Sequence, residues 1–188
     1  LVGLAVTGLL SASSAFGEEL RSSTISYMVV KPVPRWIIAA AVTVAATSAT
    51  LLLAGVGLAV TWVVAIVTIG DAGLGLAPLV ALFIEALGYS AVFVPLGLLF
   101  SRATLAGLAY IFVWEGILAR AMSALAPSSV SLTAFSGYAD LAEGVHAGTL
   151  GFLGNLVPGA GGATVKVLVA YAISIGLTTF LLKKRDLA

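Results

Sequence analysis

Three observations predict an all-α integral membrane protein, a bundle of about five membrane-spanning helices. Of 188 residues, 61% are hydrophobic and only 9% charged. A soluble domain carries ~25% charged residues, so this composition cannot assemble a water-facing surface. One stretch, Trp36 to Gly70, holds no charge at all. The few basic residues, finally, are sorted by the alternation of the apolar blocks. The mean hydropathy of +1.17 agrees. Roughly 115 apolar residues supply about five spans of ~20 residues each and leave too little for a separate soluble catalytic module. A net charge of +1 gives no basic stripe, so nucleic acid is not an expected partner. With no cysteine there is neither a disulfide framework nor a thiolate metal site.

Charged residues and Pro/Gly clusters divide the chain. The apolar block Leu1–Phe16 reads as the trailing, partial span of a membrane helix; it has neither the basic n-region nor the cleavage site of a signal peptide. A polar loop, 17–35, follows. The uncharged run after it would make a helix of roughly 52 Å against a ~30 Å hydrocarbon core, so the span is expected over 36–62, with the remainder at the interface. Asp71-Ala72-Gly73-Leu74-Gly75 is a turn by composition, and Pro78 suits the first turn of the next span, 76–100, in which Pro95 marks an expected kink. Ser101–Thr104 connects tightly to a span over 105–126. Residues 127–163 form a Ser/Gly/Pro-rich outer segment, 164–182 a last span, and 183–188 a basic tail.

If the first block runs outside to inside, then Arg21, Lys31, Arg35, Arg102, Lys183, Lys184 and Arg185 share one side. Arg120 and Lys166 lie elsewhere, while Asp71, Asp140 and Glu143 fall opposite. The positive-inside rule then makes the 17–35 loop and the C-terminus cytoplasmic. No fixed-period repeat is present. Small-residue spacings such as Ala41-Ala45-Ala49 suit close helix packing in lipid, though an Ala-rich chain also gives them by chance.

The loop is the most informative segment. It begins acidic at Glu18 and Glu19 and passes through an amphipathic piece, with Ile25, Met28 and Val29 against Arg21, Ser22 and Ser26. It closes on Lys31-Pro32-Val33-Pro34-Arg35. Prolines fix φ and stop a helix, so this elbow sets a sharp angle before Trp36 at the interface. A short surface helix held between two membrane helices can transmit a push; a solvated loop anchoring two spans is the plainer alternative.

This loop resembles the cytoplasmic coupling segment of permease subunits of ATP-binding-cassette (ABC) transporters of the second permease type, the exporter class without a fused ATPase. Glu19, Thr24, Ile25, Tyr27, Lys31, Pro32, Val33 and Arg35 match the family pattern of an acidic residue, Gly-Thr, an aromatic or Leu run, and Arg-Pro-Val-x-Arg. Ser23 stands where Gly is usual, and Lys31 where Arg is common. A second resemblance runs from Leu87-Gly88-Tyr89-Ser90 to the Trp114-Glu115 pair, across a short basic turn. The resemblance implies a six-span subunit, of which this chain holds a partial span and four complete ones. It also implies a coupling helix over residues 18–30 seated on a separate ATPase subunit, a second permease subunit, and short re-entrant helices in the outer segment. ATP and Mg would belong to the partner ATPase, with no cofactor in this chain. Consistently, no G-x-x-x-x-G-K-[ST] loop occurs; Gly159-Ala160-Gly161-Gly162 lacks the Gly-Lys that would follow.

Glu85, Glu115 and Arg120 fall inside the expected spans. Glu85 lies roughly 14 Å from the outer boundary and Glu115 roughly 15 Å from the inner one, where a bare charge costs at least ~2.5–3.5 kcal/mol. Such residues face the bundle interior, pair, or protonate. Arg120 is five residues beyond Glu115, about 140° away on an α-helix, so it is expected to pair with another helix or reach the outer interface. Glu115 reads either as a structural residue hydrogen-bonded toward the outer segment or as a substrate or proton contact; the same two readings apply to Glu85. In the outer segment, Ser136, Asp140, Glu143 and His146 are crowded into one stretch, without a nucleophile motif on a membrane helix and without a second His for a metal.

The expected function is therefore a permease subunit of an ATP-driven exporter in the cell membrane, not itself an enzyme. Its alternatives are an ATP-independent secondary transporter or channel-like bundle using Glu85 and Glu115, and a non-transporting membrane anchor. Drug, lipid, peptide and ion export all fit, since the residues expected to face the cavity are almost all Ala, Val and Leu.

Overall fold

The computed structural model describes residues 34–69, 76–100, 102–142 and 158–185. Every regular element among them is helical. Helix α1 spans Arg35–Ile69 and α2 spans Ala77–Leu99. Helix α3 spans Ala103–Ala121. A 3₁₀ segment, Ser123–Ser128, leads to the short helix α4, Val130–Leu141. Helix α5 spans Ala160–Arg185. Four of these, α1, α2, α3 and α5, are long and apolar enough to cross a membrane. The block Leu1–Phe16, the loop up to Val33, and the last three residues lie outside the described residues, and so does Glu143 to Val157 of the outer segment.

Helix α2 is the centre of the bundle, packed against α1, α4 and α5. Apart from Glu85 and Ser90 its sequence is apolar nearly all round, as suits a helix packed against several others. Pro78 sits in the first turn, where a missing N–H leaves no bond unmade. Ala46, Tyr89, Phe93, Val94, Leu98, Ile111 and Val130 build one core cluster. Ile84, Leu87, Ala134, Ala163 and Val167 build a second. At Gly88 a Cβ would stand 2.6 Å from Val130 Cγ1, so only glycine lets α2 approach the first turn of α4 this closely.

Helix α1 buries one stripe, Ala39, Thr43, Ala46, Thr47 and Thr50, at the i, i+4, i+7, i+8 spacing of a single helical face. The threonine hydroxyls on it donate to the carbonyls four residues back, which satisfies them without a partner helix. Thr47 Oγ1 also lies 2.9 Å from the Tyr171 hydroxyl of α5. Beyond Thr50 no side chain of α1 described here is buried.

The boundaries expected from composition move in three places. Helix α1 does not stop near Thr61–Trp62 but continues to Ile69; no proline interrupts it, and Gly55 and Gly57 are accommodated within it. The third span closes at Ala121 rather than 126; Met122 turns to extended backbone (φ −119°, ψ 108°), and Pro127 lies in the 3₁₀ turn that follows. The last span begins at Ala160, four residues before the expected 164. Pro95 lies inside α2, which runs on as helix to Leu99.

Candidate functional site

A cluster of buried polar side chains gathers where α3 meets the first turn of α4. Helix α3 is α-helical over Ala103–Ala109, π-helical over the nine residues Tyr110–Leu118, and α-helical again over Ala119–Ala121. π-Turns are rare and usually single, and they cluster at functional sites. Glu115 lies inside this segment and is 4% exposed.

Its carboxylate receives five donors. Oε1 accepts from the Val130 N–H at 2.7 Å and from the Tyr110 hydroxyl at 3.1 Å. Oε2 accepts from the Ser129 hydroxyl at 2.6 Å, the Ser131 hydroxyl at 2.5 Å and the Ser131 N–H at 3.2 Å. Ser129 is itself the N-cap of α4, accepting from the Leu132 N–H at 3.1 Å. Glu115 thus sits at the positive end of a helix dipole, on N–H groups that have no intrahelical partner. The arrangement suits an ionised carboxylate, which only accepts hydrogen bonds.

The Tyr110–Glu115 bond depends on the π-turn. Residues five apart diverge by about 140° on an α-helix, whereas an i→i+5 turn brings them to one face. The Tyr110 ring is held edge-on by Phe93 at 5.8 Å, and Phe93 stacks on Tyr89 at 5.5 Å. Tyr89 in turn sits beside Ser131. The aromatic column on α2 therefore fixes the donor that α3 offers its own glutamate.

A cation stands on the other side of the same turn. Lys166 of α5 donates to the Pro127 carbonyl and, at 3.0 Å, to Thr133 Oγ1. The Thr133 hydroxyl bonds the Ser129 carbonyl at 2.6 Å. At the far end of α4, Asp140 Oδ2 accepts from the Ala160 N–H at 2.8 Å, capping α5. Ser136 Oγ lies 2.6 Å from the Pro158 carbonyl. The described part of the 127–163 segment is thereby tied to α3 at its start and to α5 at both ends.

Glu85 is different. It is 1% exposed on α2, and neither carboxyl oxygen has a hydrogen-bond partner among the described residues. It lies within electrostatic reach of Glu115 and Tyr89.

The remaining residues singled out in the sequence distribute as follows. Trp114 is half-buried beside Glu115, and its carbonyl accepts from the Ala119 N–H in the π register. Arg120 is exposed at the end of α3. Arg35 is half-buried at the start of α1. Glu18, Glu19, Thr24, Ile25, Tyr27, Lys31 and Pro32 lie outside the described residues, as does His146. No three His, Asp or Glu side chains come together among the described residues in a way that would hold a metal ion.

Sequence reasoning did not single out Tyr110, Ser129, Ser131 or Lys166 as parts of one site. Ser129 did carry a signal: a serine just before an apolar run is an N-cap pattern. Comparison with known proteins finds no matching family model, curated protein or solved structure.

Proposed function

We propose that the chain is the transmembrane permease subunit of an ATP-driven ABC transporter of the exporter class, with ATP and Mg bound by a separate ATPase subunit. The observation that carries this reading is the loop pattern, Glu19, Thr24-Ile25-Ser26-Tyr27 and Lys31-Pro32-Val33-Pro34-Arg35. Its last residue, Arg35, is the first residue of α1. A force on such a loop acts directly on a membrane helix. A second support is the way the outer segment is tied to α3 and α5, so that displacement of the spans reaches the outer face through hydrogen bonds rather than through slack chain. On this reading the subunit lies in the cell membrane with its C-terminus cytoplasmic, and works with a second permease subunit.

The test is a photo-crosslinker placed at Tyr27 in native membranes. The expected product is a crosslink to a polypeptide that binds ATP, with vanadate-sensitive ATPase activity in the purified complex. Glu19→Lys, or Gly-Ser in place of Thr24–Tyr27, should abolish stimulation of that activity while leaving membrane insertion unchanged. Stimulation that survives both changes overturns the assignment of the loop.

One observation favours a second reading, an ATP-independent transporter using Glu85 and Glu115. Glu85 is a buried carboxyl without a partner among the described residues, the kind of group that marks a proton or ion pathway inside a membrane. Purified protein that moves substrate on a proton gradient alone, and stops doing so as Glu85→Gln, would select it.

A further inference from the structure

The buried residues of α3 are Gly107, Ile111, Glu115 and Ala119, each four positions after the last. A regular α-helix spreads such a stripe: at 3.6 residues per turn, Glu115 would lie about 80° and Ala119 about 120° away from Gly107. The π segment Tyr110–Leu118 takes up this difference. The span is underwound by one residue over three turns, and the underwinding is what delivers Glu115 to the N-terminus of α4.

We propose that α3 is a winding switch. In the underwound state seen here, Glu115 holds Val130, Ser129 and Ser131, and the outer segment is docked. In the rewound state the segment is α-helical throughout and Trp114, only about 20° from the Gly107 face, takes the place of Glu115. Both windings satisfy every interior backbone group within the helix, so exchange between them exposes no N–H or C=O to lipid. The residues turned toward lipid, Phe112, Val113 and Ile117, are apolar. Gly116 lies within the segment, and a Cβ there would meet nothing closer than the Ile111 carbonyl at 3.5 Å. Rewinding releases all five donors at once, because they converge on one carboxylate. The released Glu115 needs water or a new partner, so rewinding and hydration of the outer face accompany each other. The neighbouring ionisable groups are Tyr110 on α3 itself, Glu85 and Tyr89 on α2, and Lys166 on α5.

The count of residues makes the switch testable. Deleting Val113 removes the surplus residue: Glu115 and Ala119 then fall within about 20° of Gly107 on an ordinary α-helix, and Tyr110 becomes the i,i+4 neighbour of Glu115. The clamp is kept and the reason for underwinding is gone. The chain has no cysteine, so spin labels at Ile117→Cys and Leu168→Cys, both lipid-exposed positions, report one distance in the full chain reconstituted in lipid nanodiscs. The expected result is a second, minor distance in the native sequence. Glu115→Gln should enrich it about tenfold, since it replaces charge-assisted hydrogen bonds by neutral ones. Deletion of Val113 should leave the single clamped distance. One distance, unchanged between the native sequence and Glu115→Gln, overturns the proposal. That comparison needs no deletion, so it decides the matter even where the shortened chain fails to insert.

Discussion

The two buried glutamates, Glu115 at the start of α4 and Glu85 on α2, are 4% and 1% exposed and lie within electrostatic reach of each other. Their surroundings are opposite. Five donors converge on Glu115, two of them backbone N–H groups at a helix N-terminus. The two oxygens of Glu85 meet none among the described residues. Burial alone therefore says little about what an intramembrane carboxylate does. What decides is whether a helix end is pointed at it. At Glu115 the orphan N–H groups of α4 and the carboxylate satisfy each other, and the cost of each is offset by the other. At Glu85 no hydrogen bond from the described residues offsets the desolvation, the pattern of a group kept for what it does rather than for what it holds together.

The largest effect should come from breaking the satisfied member. Glu115→Ala leaves the Val130 and Ser131 N–H groups and three hydroxyls without their acceptor in a buried place, a loss of about 3–5 kcal/mol by analogy with a broken buried pair. Thermal unfolding of the purified protein in detergent should show this as a large fall in midpoint, with the outer segment becoming protease-sensitive first. Next, Glu85→Leu should act in the opposite direction. Replacing an uncompensated buried carboxyl by an apolar side chain of similar size is neutral or stabilising by about 1–3 kcal/mol. A drop in stability as large as that of Glu115→Ala would erase the contrast between the two. A rise in midpoint together with lost transport would sharpen it, by separating the functional carboxylate from the structural one. The smallest change belongs to Asp140, exposed at the far end of α4, where loss of the cap on α5 in Asp140→Ala should cost about 1 kcal/mol. Hydrogen exchange should register this locally, as faster exchange of the Ala160 amide without a shift in global unfolding.

Much of the fold was open to reading from composition. The spans α1, α2, α3 and α5 follow from runs of apolar residues punctuated by Asp71, Ser101-Arg102 and the Ser/Gly/Pro-rich stretch 127–163, because a bilayer accepts little else. Their ends were read less well. Trp62 and the residues after it looked interfacial because a ~30 Å core was assumed, yet the helix runs on at least to Ile69, with no proline within it. The third span was read too long because Ser123–Ala126 is apolar enough to pass for helix, while its backbone closes into 3₁₀ turns.

The π segment illustrates a finer limit. Its signal, the four-residue spacing of Gly107, Ile111, Glu115 and Ala119, was present in the sequence. An Ala-, Val- and Leu-rich helix offers several such stripes, and only the packing of α2 and α4 against α3 shows which one is used. Lys166 is similar. As a charge within a predicted span it was an exception to the sorting of basic residues, and its acceptors lie 33 and 39 positions away in the chain.

What the sequence by itself determined is the solvent and the order of elements: a helical membrane chain, its spans in sequence, and which few ionisable residues it carries into them. Those properties are local, set by transfer free energies and by the breakers between apolar runs. What only the tertiary structure decided is the fate of each buried charge. Glu85 and Glu115 are the same residue type at comparable depth, and no local pattern separates them. The difference is made by a helix beginning at Val130, seated closely on α2 at Gly88, and by the winding of α3 that turns one carboxylate toward it.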